Sequence, residues 1–331
     1  MSNKYYKFKS GILTFKHGIT CVRPEMIECR REKIKQIILP EGLLSIESCA
    51  FHDCLNLEKV IFPSTLENIE YQAFYNCINL DNIAFPESVK KIGHAAFNGC
   101  ETLCNLVFNS GLEFIDSHAF GNCRNLKSVD LPNSLVRLGG SVFAYNTSLC
   151  SVKFSNSIKS IPIDTFNRCI SLTNVILPNE LITIKERAFY TCSSLKEINI
   201  PKTVFAIDNN AFADCRSLED IQIPDKTKIL GAGVFDGCIS LRSVKIGCSV
   251  NELPPEFFYG CKDLRSLILS ENLKKIHHSS FSGVDLTMLR ITCNNNEFVK
   301  SWARDNHVKC NSTINEFLNT LESISEKRYN F

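Results

Sequence analysis

The sequence predicts a solenoid: short parallel strands and turns in eleven stacked 23-residue units, with an N-terminal cap coil and a C-terminal helical cap. Three observations lead there. Phe51, Phe74, Phe97, Phe120, Phe143, Phe166, Phe189, Phe212, Phe235, Phe258 and Phe281 recur every 23 residues without insertion or deletion. A period of this size marks one short supersecondary unit stacked on itself. Leu follows six residues after Phe in ten units, from Leu57 to Leu264. Cys stands three residues after Phe in nine, at Cys54, Cys77, Cys100, Cys123, Cys169, Cys192, Cys215, Cys238 and Cys261.

Each unit divides into four pieces. After the Leu comes an alternating apolar pair, such as Val60/Phe62, Ile83/Phe85 or Val129/Leu131, which reads as a short strand with one buried face. Proline follows in many units (Pro63, Pro86, Pro132, Pro178, Pro201, Pro224), and having no N–H it ends the strand. A second pair, as in Leu66/Ile69 or Leu181/Ile184, forms another extended segment. A tight turn carrying Ala-Phe-x-x-Cys closes the coil. One such unit cannot bury its apolar face alone, but stacked neighbours can. At a strand spacing of about 4.8 Å, eleven coils give a body roughly 50 Å long with the phenylalanines stacked inside it.

The combined pattern, Ile/Val-x-Leu-Pro-x-x-Leu-x-x-Ile-x-x-x-Ala-Phe-x-x-Cys-x-x-Leu, resembles the BspA-like leucine-rich repeat family from about Ile34 to Ile291. Leu66-Glu67-Asn68-Ile69-Glu70-Tyr71-Gln72-Ala73-Phe74-Tyr75-Asn76-Cys77 fits it almost completely. The resemblance implies a curved leucine-rich repeat solenoid used for protein recognition, often in surface proteins of bacteria and parasitic protists that attach to host proteins. This chain differs from such surface proteins in showing no secretion signal at its start.

The ends depart from the repeat, which divides the chain into a cap over 1–33, repeats over 34–291 and a second cap over 292–331. Residues 11–33, with Ile12, Phe15, Ile19, Val22, Met26 and Ile27, read as a degenerate coil. The basic residues of this region (Lys4 to Lys35) read as a solvated surface, because no nucleic-acid-binding motif organises them. Beyond Phe281 the pattern breaks at Val284. The run Glu297 to Ala303 predicts a helix with Phe298 and Trp302 on one face. Thr313 to Glu316 resembles a capping box opening a last helix with an Ile314, Phe317, Leu318, Leu321 and Ile324 stripe. That helix is expected to cover the core, leaving a monomer, or alternatively a weak dimer formed through it.

A formal net charge of +2 favours neither nucleic acid nor a membrane surface. No apolar run approaches the 18 or so residues of a membrane span. These features predict a cytoplasmic protein, with cell-surface or non-classically secreted placement as the alternative. The nine ladder cysteines should point inward as small apolar side chains, about 5 Å apart with parallel Cβ vectors, a geometry that suits reduced thiols better than disulfides. No Cys-x-x-Cys occurs, and a row of thiols does not converge as zinc requires, so neither metal nor cofactor is expected. His52, His94 and His118 fall at different repeat offsets and are not expected to meet, and His277 and His278 are expected on opposite faces. Hydrolase, phosphate-loop and zinc-protease motifs are missing. Gly231-Ala-Gly233 reads as a turn, and Asn146, in a glycosylation sequon, replaces a ladder Cys and should face inward.

The functional expectation is therefore a non-catalytic scaffold that binds another protein through its concave sheet face. Residues between the buried strand positions should line that face, and Ile38, Ile61, Ala84 and Val107 make four apolar positions in succession. Glu58, Lys59, Asp81, Asn82 and Asn105 would form its polar rim. The alternatives are an adhesin-type surface protein or, less favoured, an enzyme with a site at one cap.

Overall fold

Two ladders of short parallel strands run along the repeat array, and together with the caps they make about 13 turns. The computed structural model describes residues 4–312. The first ladder uses the alternating segments, three residues each, such as Gln36–Ile38, Lys59–Ile61, Asn82–Ala84 and Asn105–Val107. The second uses the Leu/Ile segments, two residues each, such as Ser45–Ile46, Asn68–Ile69 and Lys91–Ile92. Register follows the period: Asn82 pairs with Asn105, and Asn68 pairs with Lys91. The turn count exceeds the eleven phenylalanines because strands without a following Phe prolong the first ladder at both ends.

At the N-terminus, β1 (Tyr6–Lys9) and β2 (Ile12–Phe15) form an antiparallel hairpin. Its two turn residues, Ser10 and Gly11, both have positive φ (50° and 82°), as a two-residue hairpin turn requires. β2 pairs in parallel with Gln36–Ile38, and Cys21–Val22 joins the second ladder, so the region 11–33, expected as a degenerate coil, carries one strand of each ladder. β1 then occupies the edge that would otherwise template further strands. Arg31 ties this cap to the first repeat by donating to the carbonyls of Cys49 and His52.

At the other end, Ser266 pairs with Arg290, 24 residues on, so the break near Val284 is a one-residue insertion. The helix α1 (Glu297–Asp305) follows, and Lys309–Asn311 then pairs with Arg290–Thr292. Asn296 caps α1 by accepting the Val299 N–H at 3.1 Å. The buried stripe is Val299 and Ala303, with Trp302 against Phe281 at 5.1 Å; Phe298 is 39% exposed and does not share that burial. The helix expected after Thr313, and any dimer contact through it, lie outside the described residues.

The core is a stack. Consecutive phenylalanines from Phe51 to Phe281 lie 5.0 to 6.0 Å apart, parallel or slightly tilted, with Phe15 closing one end edge-on and Trp302 the other. Beside them runs the cysteine ladder, fully buried. Its thiols donate across coils: Cys77 Sγ to the Phe51 carbonyl at 3.2 Å, and so on to Cys261 Sγ and Phe235 at 3.1 Å. At the missing rung, Asn146 Nδ2 donates to the Phe120 carbonyl at 3.0 Å, so this Asn does face inward.

The Phe turn carries a third set of inter-coil bonds, for example Phe51 N–H to Ala73 C=O at 2.8 Å. Making them requires two left-handed residues per coil. The position two before Phe has positive φ in Cys49, Gln72, Ala95, His118, Ser141, Asp164, Arg187, Asn210 and Glu256, and in Gly233 of the Gly231-Ala-Gly233 turn. The position two after Phe does so in Asp53, Asn76, Asn122, Tyr145, Arg168, Thr191 and Asp214, and in four glycines. Such residues aim their N–H along the stacking direction, as Cys49 to Tyr71 C=O and Asp53 to Tyr75 C=O, both at 2.9 Å.

Proline also explains where the second ladder stops. After each strand an N–H donates to the previous coil, as Gly139 does to Ile115 and Lys185 to Ile161. Pro162 and Pro254 hold that offset in their coils and have no N–H to give. The second ladder is interrupted before Ser160–Ile161 and before Glu252–Leu253, at these two prolines.

Candidate functional site

Strand alternation sends the middle residue of each first-ladder strand inward and its two neighbours outward. Ile83 and Leu106 are accordingly buried, while Asn82, Ala84, Asn105 and Val107 are exposed. Of the apolar series, Ile61 is 40% and Val107 49% exposed, and Ala84 is exposed. Ile38 is half-buried, held between Thr14 of β2 and Ile61. Glu58, Lys59 and Asp81 are exposed around them, with Glu58 3.6 Å from Lys35.

The series does not form one continuous strip of paired backbone. Ile38 is in register with Ile61, and Ala84 with Val107, but the ladder is interrupted between Lys59–Ile61 and Asn82–Ala84. The N-terminal hairpin extends the sheet sideways, so β2 joins this face at its edge.

Further along the same face the interruption is deeper. Glu197, Ile198, Asn199 and Ile200 hold the first-ladder offsets but form no strand and make no backbone–backbone hydrogen bond. A hollow of about 960 Å³ opens there, with Asn174, Lys196, Glu197, Asp220, Gln222 and Lys245 on its walls. A smaller hollow of about 370 Å³ adjoins it through Asn199 and Gln222. Glu197 and Asp220 hold the same offset on neighbouring coils, where other coils carry Asn82, Asn105, Ser128, Ser151 or Ser243. Like charges facing each other across strands weaken pairing.

A second apolar surface was missed in the sequence. Phe114, Val136, Ile163, Ile182, Phe205 and Ile229 are 37 to 59% exposed on the outer side of the second ladder. Its signal was present: Val136, Ile182 and Phe205 put apolar residues just before the second-ladder strand, where Glu67, Lys90 and Glu113 stand elsewhere. The buried Leu/Ile pair beside these positions dominates the pattern and conceals it.

Two histidine expectations are corrected. His94 and His118 do meet, with ring centroids 5.4 Å apart, and His94 also stacks on Tyr71 at 5.5 Å. The left-handed backbone at His118 (φ 59°) breaks the alternation on which offsets were compared. Burial, then the neighbouring His94, lower the His118 pKa, so the His118 ring favours its neutral form. His277 and His278 likewise have ring centroids 4.2 Å apart, because they lie in a turn where consecutive side chains need not oppose. Among the described residues no three His, Cys, Asp or Glu side chains converge to hold a metal ion. Burial pushes the ladder thiols strongly toward the protonated form, which is the opposite of nucleophile activation.

Among the described residues no helix is long and apolar enough to cross a membrane. Residues 28–150, 137–265 and 183–309 match the profile of the BspA type leucine rich repeat region, in six copies. No curated protein matches the chain. Among solved structures, the pneumococcal vaccine antigen PcpA is similar at 25% identity and a TM-score of 0.55, covering 84% of this chain and 78% of that one. A leucine-rich repeat protein from Bacteroides ovatus is similar at 21% identity and a TM-score of 0.58, covering 94% and 98%.

Proposed function

The chain belongs to the BspA type leucine-rich repeat family, and from that premise we propose that it is a non-catalytic recognition scaffold that binds a partner protein through the outward face of its first ladder. The observation that carries this reading is the exposed apolar run of Ile61, Ala84 and Val107 on a rigid stack. Apolar side chains exposed on adjacent strands are a surface that association can bury. Glu58, Lys59, Asp81, Asn82 and Asn105 supply a polar rim of the kind that surrounds such a patch. Ile38 contributes its half-buried side chain at the margin. Leucine-rich repeat proteins of this kind are typically non-catalytic, and the protonated ladder thiols agree with that.

The test is affinity capture from source-cell and host-cell extracts with the wild type and a folded Ile61→Asp/Val107→Asp variant. A partner retained by the wild type and lost by the variant identifies ligand and face together. A partner retained equally by both moves the site elsewhere, with the second-ladder apolar surface the next to mutate.

A second reading is display at a cell surface as an adhesin-type protein. Similarity over most of the chain to a pneumococcal vaccine antigen favours it. Labelling intact source cells with an impermeant amine reagent decides between this placement and the cytoplasm.

A further inference from the structure

β1 closes the end of the first ladder, yet its own far edge is open: among the described residues it pairs only with β2. The two-residue turn at Ser10 and Gly11 decides which groups face that edge. Residues flanking such a turn, here Lys9 and Ile12, form a hydrogen-bonded pair, and bonded pairs alternate along an antiparallel ladder. Lys16 N–H donating to Tyr5 C=O at 2.9 Å keeps the same alternation. The N–H and C=O groups of Lys7 and Lys9 are therefore directed at β2, and those of Tyr6 and Phe8 at the open edge. Polypeptide is the ligand whose own backbone carries donors and acceptors at the matching spacing, and a sheet edge takes it as an added strand.

Side chains narrow the occupant. Lys7 and Lys9 are exposed on the outward face, opposite Thr14 and Ile12 of β2. Neither has an ion-pair partner within 4.0 Å among the described residues. Residues 1–24 contain Lys4, Lys7, Lys9, Lys16 and Arg23 but no Asp or Glu, so the hairpin has no carboxylate of its own. Of the outward carboxylates in the neighbouring coils, Glu58 is held by Lys35 at 3.6 Å, and Asp81 lies beyond the interruption that follows Lys59–Ile61. On the inner side Tyr6 is buried, but Phe8 is only half-buried, with the Arg30 guanidinium 4.9 Å from its ring centre. A strand laid beside β1 would thus meet lysines on one face and an incompletely covered ring on the other. Acidic residues alternating with apolar ones match both faces. Lysines on an edge ordinarily keep strands away, but they act through charge, and a row of carboxylates reverses the sign. A second copy does not fit, because β1 against β1 sets lysine beside lysine.

We propose that the open edge of β1 binds, as an added antiparallel strand, an extended segment of a partner protein in which acidic and apolar residues alternate. The acids lie beside Lys7 and Lys9, and the apolar side chains beside Tyr6 and Phe8. The inference rests on the recognition-scaffold reading but uses an edge separated from Ile61 by β2 and Gln36–Ile38.

The experiment titrates the full chain with the blocked peptide Glu-Val-Glu-Val-Glu, its Lys-Val-Lys-Val-Lys counterpart, and the glutamate peptide N-methylated at both valines. Residue-resolved amide hydrogen exchange is followed in parallel. The glutamate peptide should bind and slow exchange at Tyr6 and Phe8, while Lys7 and Lys9, already bonded to β2, change little. Lys7→Gln/Lys9→Gln should weaken binding about tenfold or more, and N-methylation should weaken it as well. The proposal is overturned if the lysine peptide binds equally, if the variant or the N-methylated peptide binds like its parent, or if a short dT oligonucleotide protects these amides and the peptide does not. It is also overturned if no glutamate peptide binds at millimolar concentration, the lysines then only guarding the edge. Partner capture with Ile61→Asp/Val107→Asp separates the two readings. Peptide binding to the wild type, with capture unaffected by that variant, sinks the apolar patch alone; failed titration with capture lost sinks the edge alone.

Discussion

Raising the pH should unfold this protein steeply, and the cysteine ladder sets the slope. Nine thiols are fully buried, and desolvation raises each of them; Cys54, beside Arg31, is pushed up to about 12 and the others further. In the unfolded chain a thiol titrates near 8.5. Above that pH the unfolded state loses a proton that the folded state keeps. Stability is therefore complete below about pH 8.5 and falls as pH rises toward the folded values. Each thiol contributes about 1.4 kcal/mol per pH unit, so nine remove about 12 kcal/mol per unit. Domain stabilities are about 5–15 kcal/mol, which places unfolding at about pH 10. Urea midpoints at pH 8, 9, 9.5 and 10, read by circular dichroism, measure the slope. A Cys192→Ala/Cys215→Ala/Cys238→Ala variant should lose about a third of it, three of the nine thiols being gone. Midpoints flat from pH 8 to 10, or an unchanged slope in the triple variant, would refute the reasoning.

Two further outcomes test the stack. Asn146→Cys should stabilise the protein by about 1 kcal/mol, because Asn146 Oδ1 is buried without a hydrogen-bond partner while a thiol can still reach the Phe120 carbonyl; Asn146→Ala should cost about 1–3 kcal/mol, the order Cys, Asn, Ala being read from urea denaturation. Thr191→Gly should stabilise by roughly 0.5–1 kcal/mol, since a β-branched residue is held at φ 59° and left-handed strain exceeds the entropy cost of glycine; a lower melting temperature would contradict this.

The parts of the fold visible in the sequence were those where one chemical type is demanded at every coil. A buried ring at Phe51 to Phe281 and a small donor at the Cys offset are such demands, so both periodicities were legible. The left-handed positions were not, because inter-coil bonds impose that backbone whether the residue is Gln72, Ala95, Asp164 or Arg187. Offsets then mispredicted side-chain neighbours, as at His94 and His118. Pro162 and Pro254 were visible as residues, but their effect depended on knowing that this offset donates an N–H. The exposed apolar residues Ile61 and Val107 were legible from alternation alone, whereas the opening at 197–200 was not, since it arises between neighbouring coils and not from a residue type at one offset.

Folding is written at the inward offsets. Backbone bonds, Phe rings and thiols hold the coils together through inward positions, and the outward ones tolerate Lys59, Asp130, Ile176 or Gln222 without change of fold. The face loses a strand at 197–200, where Glu197 and Asp220 hold one offset on neighbouring coils. If their repulsion holds this coil open, Glu197→Gln/Asp220→Asn should slow amide hydrogen exchange at 197–200, and unchanged exchange there would refute that cause.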